Sequence, residues 1–204
     1  MVAINQMLIP IQQMTPGAVT ALRSAVVNAL VAKASQILNL APEKLVVRNT
    51  RPVEDLIMYS TGTTNATVED WVFTTAATTT TGFITITGDK TMADNRFVAL
   101  YGFMDFRLGI ATRATAGAAA LIVEPSSHSL IRISVGGADR VIWDTKVVQA
   151  HLNDQVAVTN SPVIIPQNTT FNIAIYKSQA TSAMIVSAGL LGVTVEPVGK
   201  IVSP

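Results

Sequence analysis

Residues 98–110 read VALYGFMDFRLGI, and how this run is read decides the fold. Its even positions are Val98, Leu100, Gly102, Met104, Phe106, Leu108 and Ile110, with Ala99, Tyr101, Phe103, Asp105, Arg107 and Gly109 between them. Successive side chains leave a pleated backbone on opposite faces, so a period of two predicts a β-strand. One face is apolar throughout, while the other turns polar at Asp105 and Arg107. That suits a strand with one face on a core and part of the other in a wetter place. The run exceeds the usual strand of about five or six residues. Gly102 is therefore expected to bulge or bend it and divide it in two.

On both sides of this run the signals are β. Trp71, Phe73 and Thr75 alternate with Val72 and Thr74, and 83–87 is a short strand between Gly82 and Gly88. Ile131, Ile133 and Val135 alternate with Arg132 and Ser134; Gly136-Gly137 then breaks the run and Val141 and Trp143 resume it, a hairpin pattern. Pro162 and Pro166 bracket Val163-Ile164-Ile165, which places that piece at an edge or a strand start. Phe171, Ile173 and Ile175 form one inward face. Residues 183–195 are apolar on both parities, which implies burial on both sides or a split at Gly189 or Gly192. Eight to ten short strands with turn signals between them predict an antiparallel sandwich.

The N-terminal part differs. Met7, Leu8, Ile9 and Ile11 make an apolar arm in which Pro10 blocks a helix. The arm can lie on its own domain or on a neighbour, and the sequence leaves both open. Thr15-Pro16 is a helix start. The helix it opens runs to about Leu40, with Val19, Leu22, Val26, Leu30 and Ile37 on one face and Pro42 ending it. Residues 1–42 carry Arg23 and Lys33 and no acid. Packing on a sheet explains the helix better than a membrane surface, because two basic residues supply little polybasic attraction. The expected division is an arm and helix over 1–42 and a jelly-roll-like β-sandwich over 43–204.

Composition bears on partners. Charged residues are 13% of the 204-residue chain, against about 25% in ordinary proteins. A chain this poor in charge has two ways to meet water: a surface of Thr, Ser and Asn, or burial of its flanks on copies of itself or a membrane. The net charge of +1 gives no broad field for nucleic acid, so no specific nucleic-acid binding is expected. With no cysteine, disulfides and thiolate sites are excluded. The N-terminus lacks the pattern of a secretory signal, and 178–195 reads as strand and not as a membrane span.

Catalytic signals are absent. His128 sits among serines, where a loop histidine is the plainer reading, and His151 stands apart. Asp139, Asp144 and Asp154 can be calcium ligands or simply turn acids. Gly136-Gly137 lacks the following Lys-Ser/Thr of a phosphate loop. Asn65-Ala66-Thr67 and Asn168-Thr169-Thr170 match the glycosylation triplet, without a secretion signal to support it. Trp71, Trp143, Tyr59, Tyr101 and Tyr176 can line a sugar-binding face or pack in a core. No enzyme activity, catalytic residue, metal or cofactor is therefore expected.

Residues 161–176, SPVIIPQNTTFNIAIY, combine a proline-bracketed apolar strand, a Pro-x-Asn-Thr turn and an alternating strand. With RISVGGADRVIWD before it and GVTVEP after it, this layout resembles the single jelly-roll capsid proteins of tailless icosahedral viruses, some of which enclose a membrane. The resemblance is one of pattern and covers about residues 60–200. It implies a structural protein of the virion that self-assembles into an icosahedral shell, with copies of itself and other virion proteins as partners. It also implies that residues 1–39 tie subunits together or face an internal membrane. The subunit-contact residues it suggests are Met7, Leu8, Ile9, Ile11, Val19, Leu22, Val26 and Leu30. The arm departs from the strongly basic arms of many capsids, which sets genome binding aside. The alternatives are a carbohydrate- or surface-binding module, a non-viral extracellular filament or sheath subunit, and an enzyme with a site around His128.

Overall fold

The computed structural model describes residues 4–5, 8–56, 72–74, 82–111, 121–124, 130–145, 156–177 and 184–199. In chain order these form β1 (Ile4–Asn5), β2 (Ile9–Pro10), α1 (Pro16–Leu38), β3 (Leu45–Asn49), α2 (Pro52–Leu56), β4 (Val72–Thr74), β5 (Gly82–Thr85) and β6 (Lys90–Thr91). Then come β7 (Phe97–Ala111), β8 (Leu121–Glu124), β9 (Leu130–Val135), β10 (Ala138–Asp144), β11 (Val156–Ile165), β12 (Thr170–Lys177) and β13 (Met184–Pro197).

Two sheets result. One is ordered β1-β10-β9-β12-β5, with β6 also on β12; the other is β2-β11-β7-β13-β3, with β4 also on β13 and β8 on β7. Pairing is antiparallel except between β1 and β10. The principal strands, taken in sequence, are β3, β5, β7, β9, β10, β11, β12 and β13. They fall first-eighth-third-sixth in one sheet and second-seventh-fourth-fifth in the other. That interleaving gives a mainly β, antiparallel, jelly-roll-like sandwich.

Three layers follow from the burial. Between the sheets, Val98, Leu100, Phe103 and Leu190 meet Ile131, Ile133, Val141, Trp143, Phe171, Ile173 and Ile175 in one core. On the far side of the second sheet, Val26, Leu30 and Ala34 of α1 pack on Phe97, Ala99, Tyr101, Val158, Val193 and Val195. β7 and β13 are thus covered on both faces here. Both faces of β13 are taken up where Leu190 points into the sandwich and Val193 and Val195 lie under α1, and the strand runs on unsplit.

The organising strand is also unsplit: β7 spans Phe97–Ala111 as one element, where division at Gly102 was expected. Its face changes instead. Gly192 pairs with Leu100 and Leu191 with Gly102, so Tyr101 is an extra residue on β7 and the register shifts there. Val98 and Leu100 point into the sandwich before the bulge and Phe103 does so after it. The even positions therefore do not share one face. The bulge needs glycine beside it, because a Cβ at Gly102 would lie 2.2 Å from the Ala157 carbonyl oxygen.

The hairpin reading of 130–143 holds. Val135 and Ala138 pair across Gly136 and Gly137, whose φ values of 64° and 75° suit a two-residue turn of the type that matches strand twist. Pro162 falls where β11 slips against β7, between Val158 and Val163, so it interrupts no regular ladder.

The helix starts as expected, with the Thr15 side chain accepting from the Ala18 amide at 3.2 Å. It ends earlier than expected. Asn39 takes the left-handed conformation (φ 52°), and the Leu40 amide turns back to the Ser35 carbonyl, so Pro42 lies beyond the stop. The arm, read only as apolar and non-helical, forms two short strands. β1 extends one sheet at β10, β2 extends the other at β11, and Leu8 between them is buried in the central core.

Candidate functional site

The described residues hold two places where polar chemistry gathers. The first is at the end of the second sheet, where β3, α2, β13 and the start of β7 meet. Arg48 of β3 grips Asp55 through two bonds of 2.7 Å, and its Nη2 also reaches Glu54 at 2.9 Å and Glu196 at 2.7 Å. Arg96 donates through Nε to Glu196 at 3.1 Å and through Nη1 to the Glu54 carbonyl. The Asp55 side chain is fully buried. It accepts further from the Arg51 amide at 2.7 Å and the Thr194 hydroxyl at 2.9 Å, and Thr194 lies 3.1 Å from Thr50. Burial opposes the charge of Arg48. The hydrogen bond and charge of Asp55, then the charges of Glu196 and Glu54, outweigh it and raise the Arg48 pKa above the ordinary arginine value.

The carboxylates of Glu54, Asp55 and Glu196 lie within 4.8 Å of one another, close enough to share a cation. Their oxygens already converge on guanidinium groups, and Arg51 adds a third at 2.7 Å from Glu54. Three acids thus meet three arginines, and the cluster is a partly buried ion-pair network, centred on the buried Asp55, that joins α2 to the sheet. The sequence places Arg51, Glu54 and Asp55 around Pro52, but Arg96 and Glu196 join them only in three dimensions. One signal was available. Glu196 shares parity with the inward Leu190 and Thr194 on an apolar strand, and an inward charge demands a partner.

The second place is a cleft of about 300 Å³ where the N-terminal half of α1 meets the end of β3 and strands β7 and β13 of the second sheet. Arg23, Asn49, Thr50, Tyr101, Met104, Leu190, Leu191 and Gly192 line it. Tyr101, the extra residue of the β7 bulge, forms part of its wall, and Met104 lies opposite Gly189 of β13. Arg23 Nη2 donates to Asn49 Oδ1 at 3.1 Å. Burial pushes the Tyr101 pKa up, and the positive charge of Arg23 partly offsets this.

The outer face of the first sheet carries a smaller constellation. The Arg132 guanidinium lies 4.4 Å from the centre of the Phe83 ring, and Phe83 meets Tyr176 edge-on at 5.4 Å. Beside them the Thr85 hydroxyl donates to Asn172 at 3.0 Å, and Asn172 donates to Asp89 at 2.8 Å.

The residues singled out by sequence fare differently. His128, His151, Asp154, Trp71, Tyr59 and Asn65 lie outside the described residues. Asp139 and Asp144 stand at opposite ends of β10, and Asp139 accepts from Ser134, so the two do not form a calcium cage together. Trp143 is fully buried against Phe103 and Tyr101 is buried under α1, so neither lines an open sugar-binding face. Tyr176 is on the sheet's outer side. Asn168 occupies a left-handed turn position, with its side-chain amide on Asp94 at 3.2 Å.

Of the suggested subunit contacts, Leu8, Val26 and Leu30 are buried on the chain's own sandwich. Leu22 packs beside them, Ile9, Ile11 and Val19 are half-buried, and Met7 lies outside the described residues. Among the described residues the large apolar side chains left exposed are Ile37, Val47, Met104 and Val198. No described helix is long and apolar enough to cross a membrane. No family model matches the chain, and no curated protein matches it.

Proposed function

We propose that this chain is a structural subunit of a virus particle that self-assembles into a closed shell through its sandwich. The observation that carries this reading is the interleaved, jelly-roll-like strand order combined with a chain short of charged residues. The sandwich supplies a rigid block, and closed symmetric assemblies are built from such blocks by repeating one patch on each copy. The arm braces both sheets of its own copy at the β10 and β11 edges. The opposite side is the natural place for a neighbour. There β3 pairs only with β13 among the described strands, and Val47 and Val198 stand exposed around it. The same features suit a filament or sheath subunit, and the shape of the native assembly separates the two.

The test uses the full chain, since removing residues 1–39 would bare Phe97, Ala99 and Val193. Light scattering across a concentration series, followed by negative-stain electron microscopy, is expected to show rings or closed particles. A monomer at the highest concentration sinks the proposal. A second reading, a carbohydrate-binding module, is favoured by Phe83, Tyr176, Arg132 and Asn172 on one sheet face. Glycan-array binding lost in Tyr176→Ala, with the fold retained, would support it.

A further inference from the structure

The cleft between α1 and the second sheet sets Arg23, which has no anionic partner among the described residues, beside an apolar floor. Among the described residues Arg23 has one side-chain partner, the neutral amide oxygen of Asn49. No acid occurs in residues 1–42, so none of its own element faces it. Of the acids flanking β3, Glu54 and Asp55 are committed to Arg48, Arg51 and Arg96, and Glu43, just before the strand, forms no salt bridge with Arg23 among the described residues. Tyr101 lies buried in the wall, and no hydrogen bond to its hydroxyl forms among the described residues. Met104, Leu190, Leu191 and Gly192 complete the lining, and Met104 is 37% exposed there. Position 192 is tightly packed, because a Cβ there would lie 2.6 Å from Thr50 Oγ1 and 2.8 Å from Leu100 Cδ2. A volume of about 300 Å³ is at the small end of ligand sites, where a few polar groups orient a mainly apolar body.

We infer that this cleft binds a small amphiphilic carboxylate. Its oxygens bridge the Arg23 guanidinium and the Tyr101 hydroxyl, and its short apolar body lies on Leu191 and Met104. A guanidinium pairs with a carboxylate through parallel N–H donors, and Arg23 keeps donors to spare after meeting Asn49. An apolar body accounts for the floor, which a bare inorganic oxyanion would leave wet. The ligand can come from solution as a free acid or from a bilayer as a fatty acid, and the chemistry recognised is the same.

The test is isothermal titration of the full-length protein with octanoate, alongside 1-octanol, octylammonium and inorganic phosphate. Octanoate is expected to bind and the other three to bind at least about 10-fold more weakly, the step expected of one charge-assisted contact. Arg23→Gln keeps a polar group at the exposed position and is expected to weaken octanoate binding about 10-fold or more. Leu191→Ala is expected to weaken it without affecting any response to phosphate. Vesicles loaded with oleic acid, compared with vesicles of neutral lipid alone, distinguish the bilayer source from the free acid. Equal affinity for octanoate and octanol, undiminished binding by a folded Arg23→Gln, or no binding of octanoate at millimolar concentration each overturns the inference. Phosphate binding as tight as octanoate overturns its amphiphilic part.

Discussion

At the scale of single residues, two positions control the sandwich. Gly102 adjoins the bulge of β7 against β13, and any side chain there meets the Ala157 carbonyl of β11 at 2.2 Å, which only backbone movement can relieve. Gly102→Ala is expected to cost about 1–3 kcal/mol in urea unfolding, the range for overpacking a tight interior. A loss below ~0.5 kcal/mol would mean that the strands do not approach so closely. Asp55 is the other position. Asp55→Ala leaves Arg48 without two of its three 2.7 Å bonds in a partly buried place, and about 3–5 kcal/mol is expected from unfolding measurements. The surviving acids Glu54 and Glu196 make the lower end the better expectation. Tyr101 adds a pH dependence. Its folded pKa is raised by burial, so the unfolded chain gives up the phenolic proton first. Its share of stability is complete below the ordinary tyrosine value of about 10 and is lost as pH rises through the higher folded value. Tyr101→Phe should flatten the fall in stability above pH ~10, as followed by thermal unfolding at a series of pH values.

At the scale of elements, the helix shows how a predicted stripe can be right through its middle, at Leu22, Val26 and Leu30, and depart from the packed row at its end. The reading of α1 chose an axial stripe through Val19, Leu22, Val26, Leu30 and Ile37. The buried line instead follows Leu22, Val26, Leu30, Ala34 and Leu38, one residue in every four. Rows of that spacing drift around a helix because four residues exceed one 3.6-residue turn, so they lie oblique to its axis. Ile37 is on the axial stripe but off the drifting row, and it is 45% exposed. Leu30→Ala is accordingly expected to cost about 2–5 kcal/mol, the usual range for a buried leucine. Ile37→Ala should change stability by less than about 1 kcal/mol. Comparable losses in chemical denaturation would place the contact line elsewhere.

At the scale of the molecule, the arm, helix and sandwich share their cores. Leu8 enters the space between the sheets and α1 covers the outer face of one of them. A unit braced in this way suits a building block whose contacts are made between rigid faces. Assembly of the full chain into rings or shells, read by scattering and microscopy, is the outcome expected at this scale. An apolar face of one copy can be buried on another only where it is not already spent, and much of the first forty residues is spent within the chain. Mutation of Val47 to Asp should therefore disturb assembly more than mutation of Val19, while leaving the monomer's unfolding midpoint nearly unchanged.

What the sequence determined by itself was the local order. The period-two runs, the Gly136-Gly137 turn, the Thr15-Pro16 helix start and the sandwich class all depend on a residue and its near neighbours, which a linear reading sees directly. The tertiary structure decided everything that depends on distant pieces. The face change at Tyr101 follows from how β11 and β13 press on Gly102. Arg48 and Glu196, far apart in the chain, share a hydrogen bond of 2.7 Å. The oblique seat of α1 depends on the surface beneath it, and the cleft exists only because Arg23 of that helix stands over strands that come much later. Periodicity reports which side of an element is apolar; it carries no information about which partner fills that side, because burial is a property of two surfaces meeting.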